Sequence, residues 1–504
     1  MELENNIKIA CRDNLTSQAL EEPVDVDFTL PDYCPDIEKI LKCTLVPHIF
    51  SRNVSGGILE LEGVSVVTVM YVDSVRKTLR TSRQVVPFNR TMNIKEYPEN
   101  HFLNTTATTE YVNCRALSPR RLVIKGTFSI KVELVSKSVT MIPSCDSFSD
   151  FQKLSVEKNY MDVTAVTEET LSINENINVE NKPDIEAVVK SVVKVNISEQ
   201  KSIDDKIMVK GEVNLRLLYL SDLDSGEAQC LDYVVPFNQV ISCVGADTST
   251  VNDISCNLLS WDIKTTKDTE EKSILLEARI NLTAVCYKER KDSFLTDAYS
   301  REFMCDLKKR SIPLITSVRS VKGNFIRKME IAYNDKSFSK VIDTYNESCS
   351  VTANEENGCL VFSGKAGLCV VALDSEGVPF YIERTLDFTH KTDESFGIVQ
   401  SINANVSSVS YRIKDEHTLE LRVEISVGAF LTTSETGSFI EDIIVYDDKK
   451  IEKCNSALTL YFADKDEKLW DIAKHYYTQV DFIQQDNDIE GDSLPEKEML
   501  IIRR

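Results

Sequence analysis

Histidine and tryptophan are scarce in this chain: five and two in 504 residues. His48, His101, His390, His417 and His475 stand apart, and none belongs to a metal or nucleophile motif. No metal and no cofactor is expected, and catalysis finds no obvious starting point. Glycine is thin as well, at 16 residues. Ser55-Gly56-Gly57 and Gly364-Lys365-Ala366-Gly367 lie in or beside strand-like text, so no glycine-rich phosphate loop is present. No uninterrupted apolar run approaches the roughly eighteen residues of a membrane helix. Met1-Glu2-Leu3-Glu4-Asn5-Asn6 has neither the basic start nor the apolar stretch of a secretory signal. Basic charge is in deficit: 58 Lys plus Arg face 80 Asp plus Glu, a net −22. That balance excludes a basic nucleic-acid groove and repels anionic wall polymers and acidic lipid. Cysteine is plentiful, at 14, yet no two stand in Cys-x-x-Cys spacing. Scattered thiols of this kind fit buried free cysteines in a reducing compartment.

What is present is repetition. Pro35-Asp36-Ile37-Glu38 recurs as Pro183-Asp184-Ile185-Glu186. Val86-Pro87-Phe88-Asn89 recurs as Val235-Pro236-Phe237-Asn238. The landmarks lie 52 residues apart in the first copy (87 minus 35) and 53 in the second (236 minus 183). A third copy keeps only Arg384-Thr385-Leu386-Asp387-Phe388 at the second landmark. Between landmarks, apolar and polar residues alternate, as in Val64–Val72, Ile207–Tyr219 and Leu360–Val371, which predicts strands with one dry face. Asp222–Gly226 and Asp374–Gly377 have hairpin-turn composition. Many short strands separated by turns predict antiparallel sandwiches or barrels, assembled as a rod or a compact stack.

The landmarks carry paired acids, Asp36 with Glu38 and Asp184 with Glu186. Acids two apart do not share a helix face, and no histidine is near, so acid–base chemistry is not implied. Both landmarks are read as structural. Pro-Asp-Ile-Glu is expected to open a short helix, with Pro35 or Pro183 in the first turn. Pro87 and Pro236, beside Phe88 and Phe237, are expected to shape a bend or an edge strand.

The last fifty residues change character. Leu458–Phe462 and Met499–Ile502 read as strands bracketing two helical patterns, Leu469–Tyr477 and Thr478–Asn487. Asp466 stands where an N-cap is expected. Leu469, Ile472, Ala473 and Tyr476 form the core stripe, which sets Trp470 at its edge as a candidate interface anchor. The strand–helix–helix–strand order with Leu469-Trp470-Asp471-Ile472-Ala473 resembles a LysM domain, a module usually known for binding peptidoglycan or chitin. The family's Gly-Asp-Thr/Ser triplet is replaced by Asp466-Glu467-Lys468, and its Pro-Gly-Gln by Pro495-Glu496-Lys497. Bulky charged side chains there obstruct a sugar cleft. Eleven acidic against six basic residues give 456–504 a net −5. The expectation is a LysM scaffold turned to protein recognition through Trp470 and Leu458, with Asp466, Lys468 and Asp471 around them. Conventional peptidoglycan or N-acetylglucosamine binding is the alternative.

Repeats of this kind followed by such a tail resemble the SPOCS (spore coat) domain proteins of anaerobic endospore formers. Leu30-Pro31-Asp32-Tyr33-Cys34-Pro35-Asp36-Ile37-Glu38-Lys39-Ile40-Leu41 carries most of that resemblance. It implies a non-enzymatic adaptor in coat assembly, in the mother-cell cytoplasm at the forespore's outer surface. It also implies a partner, the morphogenetic ATPase of the coat basement layer, with other coat proteins as further candidates. The expected fold is mainly β, with three tandem antiparallel repeats and a small βααβ LysM domain. The expected division is 1–22 lead segment, 23–160 repeat 1, 161–312 repeat 2, 313–446 repeat 3, 447–455 charged linker and 456–504 LysM domain.

Overall fold

The computed structural model describes residues 6–94, 101–145, 148, 151–265, 272–452 and 458–503. Its architecture is mainly β and follows one six-strand plan three times. Repeat 1 holds β1 (Asn6–Thr29), β2 (Ile37–Ser55), β3 (Ile58–Asp73), β4 (Leu79–Asn93), β5 (His101–Ala116) and β6 (Arg121–Pro143). Repeat 2 holds β7 (Gln152–Asn178), β8 (Ala187–Ile203), β9 (Lys206–Asp222), β10 (Glu227–Ser242), β11 (Val251–Thr265) and β12 (Ser273–Tyr299). Repeat 3 holds β13 (Phe303–Ala332), β14 (Lys340–Glu356), β15 (Cys359–Leu373), β16 (Pro379–Ser395), β17 (Ile398–Asp415) and β18 (Thr418–Lys450).

Within each repeat the second to fourth strands form one antiparallel meander. The sixth strand lies between the first and fifth in another sheet: β1-β6-β5, β7-β12-β11 and β13-β18-β17. Both sheets of a repeat turn their apolar faces to one core. In repeat 1 that core joins Leu59, Leu61 and Val69 of β3 to Ile124, Phe128 and Val132 of β6. Repeats 2 and 3 build theirs the same way.

This plan moves several expected boundaries. β1 begins at Asn6, so most of the supposed lead segment is a strand of repeat 1. β7 starts at Gln152, and β13 already at Phe303. Asp447–Lys450, expected in a linker, finish β18, because Phe303 pairs with Lys450 and Met304 with Tyr446. Residues 453–455 of that linker lie outside the described residues.

Neither Pro-Asp-Ile-Glu segment is helical. In repeat 1 the chain instead wraps around Arg120, whose guanidinium donates to the carbonyls of Leu30, Pro31 and Cys34 and to Asp36. Asp36 is thereby committed to Arg120 and is not left to cap a helix. In repeat 2, Glu186 accepts from the Leu223 amide and Asp184 pairs with Lys272. The Pro-Phe-Asn landmark has a packing role. Phe88 lies across from Gly63, and a Cβ on Gly63 would meet the Phe88 ring at 2.6 Å. The same ring-over-glycine pair recurs as Phe237 on Gly211 and Phe388 on Gly364. An aromatic ring thus covers the hole that a strand glycine leaves in each meander. Pro87 and Pro236 sit on β4 and β10, the outer strands of their meanders, where a missing N–H costs no ladder bond.

The repeats close into a ring about a pseudo-three-fold axis, in place of the expected rod or stack. The outer strand of each meander meets the first strand of the next: β4 with β8, β10 with β14, and β16 with β2. Ile142, Phe294 and Phe439, at matching positions of β6, β12 and β18, share one cluster, with the two phenyl rings stacked at 4.4 Å. Near the other end Met70, Leu218 and Cys369 of β3, β9 and β15 meet in another. Bulges after Ile40 in β2 and after Val188 in β8 place Lys42 opposite Met70 and Lys190 opposite Leu218. Helix-free text folded into three two-sheet layers therefore buries a second set of apolar residues between repeats.

The tail forms β19 (Thr459–Ala463), α1 (Leu469–Tyr476), α2 (Val480–Asn487) and β20 (Glu498–Ile502), with β19 and β20 antiparallel. Its own small core joins Ala463, Leu469, Ile472, Ala473, Ile483, Leu500 and Ile502.

Candidate interaction site

The tail turns two opposite sides outward from its core, and the structure uses them differently. The helical side docks on the ring. Trp470 is half-buried; its indole Nε1 donates to Asp297 Oδ2 at 2.8 Å and its ring meets Tyr299 edge-on at 5.1 Å. Lys474 Nζ reaches both Asp297 oxygens at 2.6 and 2.7 Å. Tyr299, buried in the tail's own core cluster, donates its hydroxyl to the Thr478 carbonyl at 2.6 Å. The Arg301 guanidinium lies 5.7 Å from the Phe482 ring centre. Burial pushes the Asp297 carboxyl up, but Lys474 and the indole N–H outweigh it and hold the group below the usual carboxylate range. The end of β12 is thus a fitted seat for α1. The expected anchor, Trp470, is spent on an internal contact. Helix geometry placed the indole at the edge of the stripe, and Asp297, far away in sequence, supplies the partner.

Among the described residues, the sheet side makes no such contact. Strand alternation turns Tyr461 and Ala463 toward the helices and Leu458, Leu460 and Phe462 away from them. Leu458 is 59% exposed, Leu460 59%, Phe462 68%, and Met499, directly opposite Phe462, 50%. These four side chains form an apolar face with charges at its margin. Leu458, expected as a contact residue, belongs to it. Leu460, Phe462 and Met499 were not singled out from the sequence. The signal was available in the strict alternation of Leu458, Leu460 and Phe462.

Asp466, Lys468 and Asp471 are all exposed. Asp466 does not cap α1; it adopts a positive φ of 63° in the preceding turn, and its N–H donates to the Leu494 carbonyl. The N-cap is Lys468, without a side-chain cap bond. Glu467 takes over the local work, accepting from the Tyr461 hydroxyl at 2.7 Å and the Asp464 amide at 3.0 Å. The turns around 464–468 and 492–497 are joined to each other. Leu469 N donates to Asp492 O, Leu494 N donates to Glu467 O, and Lys497 pairs with Asp464 at 2.9 Å.

The ring offers two further places. On its axis lies a cavity of about 1130 Å³ lined by all three repeats, with polar side chains such as Asn104, Asn196, Ser255, Asn257, Asn403 and Asn405. Several of these bond across the seams: Asn257 to Asn104 at 2.6 Å and Asn405 to Asn196 at 2.9 Å. At the other place, Glu347, Cys369 and Glu383 bring three potential metal-ligating atoms within 4.8 Å. Lys42 of repeat 1 already fills the cation's role there, at 2.7 Å from Glu347 and 2.8 Å from Glu383. Next to it Lys190 is half-buried, its ammonium 3.0 Å from the Tyr345 ring centre, and desolvation brings its pKa down to about 8. These groups hold repeat 3 against repeats 1 and 2.

Residues 36–117 and 184–287 match the family model described as SipL, SPOCS domain. Both matches open at the Pro-Asp-Ile-Glu landmark and take in the meander and the fifth strand of their repeat. The matched segments therefore lie within two of the three ring members, and they point to a sporulation-related protein. No curated protein and no solved structure matches the chain.

Proposed function

We propose that this protein is a non-enzymatic adaptor of spore coat assembly, SipL-like, with two-sheet sandwich repeats as its body and a LysM-type tail. The observation that carries the reading is the exposed apolar face of Leu458, Leu460, Phe462 and Met499, presented on the side of the tail opposite its seat on the ring. Solvent-exposed aromatic and aliphatic anchors grouped on a rigid sheet are what a protein interface needs at its centre. The two SPOCS matches supply the setting, and the morphogenetic ATPase of the coat basement layer is the proposed partner. The site of action is the cytoplasmic side of the mother cell, at the forespore surface.

Sugar binding is the weaker reading. The turns that would flank a glycan groove carry charged side chains and are bridged by Asp464 and Lys497. The test is a double variant, Leu460→Glu with Phe462→Glu, in the full chain. Both side chains point to water, so circular dichroism and melting should stay unchanged. Affinity for the ATPase should fall at least ~30-fold, corresponding to about 2 kcal/mol on the hot-spot scale. Undiminished binding by the variant would sink the proposal, and firm retention of the wild-type chain on purified peptidoglycan would favour the glycan alternative.

A further inference from the structure

We propose that Cys243 and Cys286 are a latent disulfide site, closed by a peroxide-class oxidant, that fastens the two sheets of repeat 2 to each other. The sulfurs lie 2.7 Å apart in the shared core, and the residues are 1% and 0% exposed. A disulfide bond is roughly 2.05 Å long, so the atoms need to approach by well under 1 Å. Cys243 directly follows β10, in the meander, whereas Cys286 lies on β12, the central strand of the other sheet. The bridge would therefore cross the core rather than tie neighbours in one ladder.

Both backbones are already fixed. The Cys243 N–H donates to Asp205 O at 2.9 Å, and Cys243 O accepts from Ala246 N at 3.1 Å. Cys286 pairs with Asn252 on one side and Ala165 on the other. Little chain freedom is left to lose on closure, which distinguishes this pair from cysteines that merely share a core.

The pair is also electrostatically unequal. The hydrogen bond from Cys286 stabilises a Cys243 thiolate and lowers its pKa, while the same bond and burial push Cys286 up. Cys243, just past the end of β10 while Cys286 lies within the central strand β12, is the attacking sulfur. Its thiolate takes one oxygen from hydrogen peroxide as the O–O bond breaks, and hydroxide leaves and is protonated to water. Cys286 then gives up its proton and attacks the sulfenic sulfur, the S–S bond forms, and the second water leaves. Two thiols are oxidised by two electrons and one peroxide is reduced.

Full-length reduced protein, given a brief hydrogen peroxide pulse, quenched, denatured and alkylated with iodoacetamide, provides the test. Non-reducing peptide mapping should find the segments around 243 and 286 linked, with two of the 14 thiols lost to alkylation and recovered with dithiothreitol. In C286S, dimedone should trap Cys243 as its sulfenic acid. Exposed Met141 and Met304 report the oxidant dose through their sulfoxides. Sulfoxide formation with both cysteines still fully alkylated would overturn the proposal. So would a Cys243 driven to sulfinic acid in the wild-type chain, or one inert to dimedone in C286S.

Discussion

Asp297→Ala should release the tail from the ring while leaving both parts folded. The carboxylate holds three short bonds, one from the Trp470 indole and two from Lys474. Hydrogen bonds to a charged group are worth about 1.5–3 kcal/mol each when shielded from water. The Asp297 side chain is 18% exposed but Lys474 is 39% exposed, so the ionic part is screened and contributes less, about 0.5–1 kcal/mol. The indole bond adds about 1.5 kcal/mol, giving a loss of roughly 2–2.5 kcal/mol and a docking equilibrium some ~30–70-fold weaker. The apolar contact of Trp470 with Tyr299 remains and limits the effect. Hydrogen–deuterium exchange is the suitable assay, because the Thr478 carbonyl and Tyr299 hydroxyl separate on release. Amides in α1 should exchange faster by about that factor, with those of β3, β9 and β15 unchanged. Identical protection of α1 in variant and wild type would refute the argument that Asp297 seats the tail. The same carboxylate gives a pH dependence. Its pKa is lower docked than free, so its contribution is complete above roughly pH 4 and disappears as pH falls through the docked value.

The seam between repeats 1 and 2 should weaken at mildly acid pH. Buried His48 accepts the Trp261 N–H at 3.3 Å, and burial, followed by the charge on Arg83, lowers its pKa from 6.5 to about 4. A depressed histidine stabilises the neutral folded form above pH 6.5, and that stability drains away as pH falls toward 4. A melting series over this interval should flatten in His48→Gln; an unchanged slope would show that His48 is not the titrating group. Gly211→Val should destabilise repeat 2 by about 1–3 kcal/mol, the range for overpacking. An added Cβ meets the Phe237 ring at 2.3 Å and the Asn196 carbonyl at 2.6 Å. Chemical denaturation read out in repeat 2 checks this, and a wild-type midpoint would refute the ring-over-glycine account.

Local patterns were legible in the sequence where one strand or turn decides them. Leu59–Gly63 alternates, and β3 buries the expected face there; over Ser65–Asp73 most of the expected wet face is buried as well, because Met70 packs between repeats. Asp222–Gly226 and Asp374–Gly377 turn between β9 and β10 and between β15 and β16. Phe88, Phe237 and Phe388 were visible as landmarks, but their glycines on the neighbouring strand become meaningful only once register pairs them. The helix expected at Pro35–Glu38 does not form because its acid answers to Arg120, in the turn between β5 and β6. The ring was hidden for a different reason. Its seams combine polar pairs, such as Asn104 with Asn257 and Arg216 with Asp343, with apolar residues such as Met70, Leu218 and Phe294 on the strand faces that alternation assigns to water. Trp470 illustrates both sides: its place at the helix edge is readable, and its partner is not.

Because β16 meets β2 just as β4 meets β8, the third unit returns to the first and uses up the surface a fourth would need. An arrangement that bites its own tail cannot lengthen into a fibre by the contacts that made it. Growth of any larger lattice must therefore proceed through other faces, and the valency this molecule brings to it is set by what projects from the rim rather than by its internal triplication.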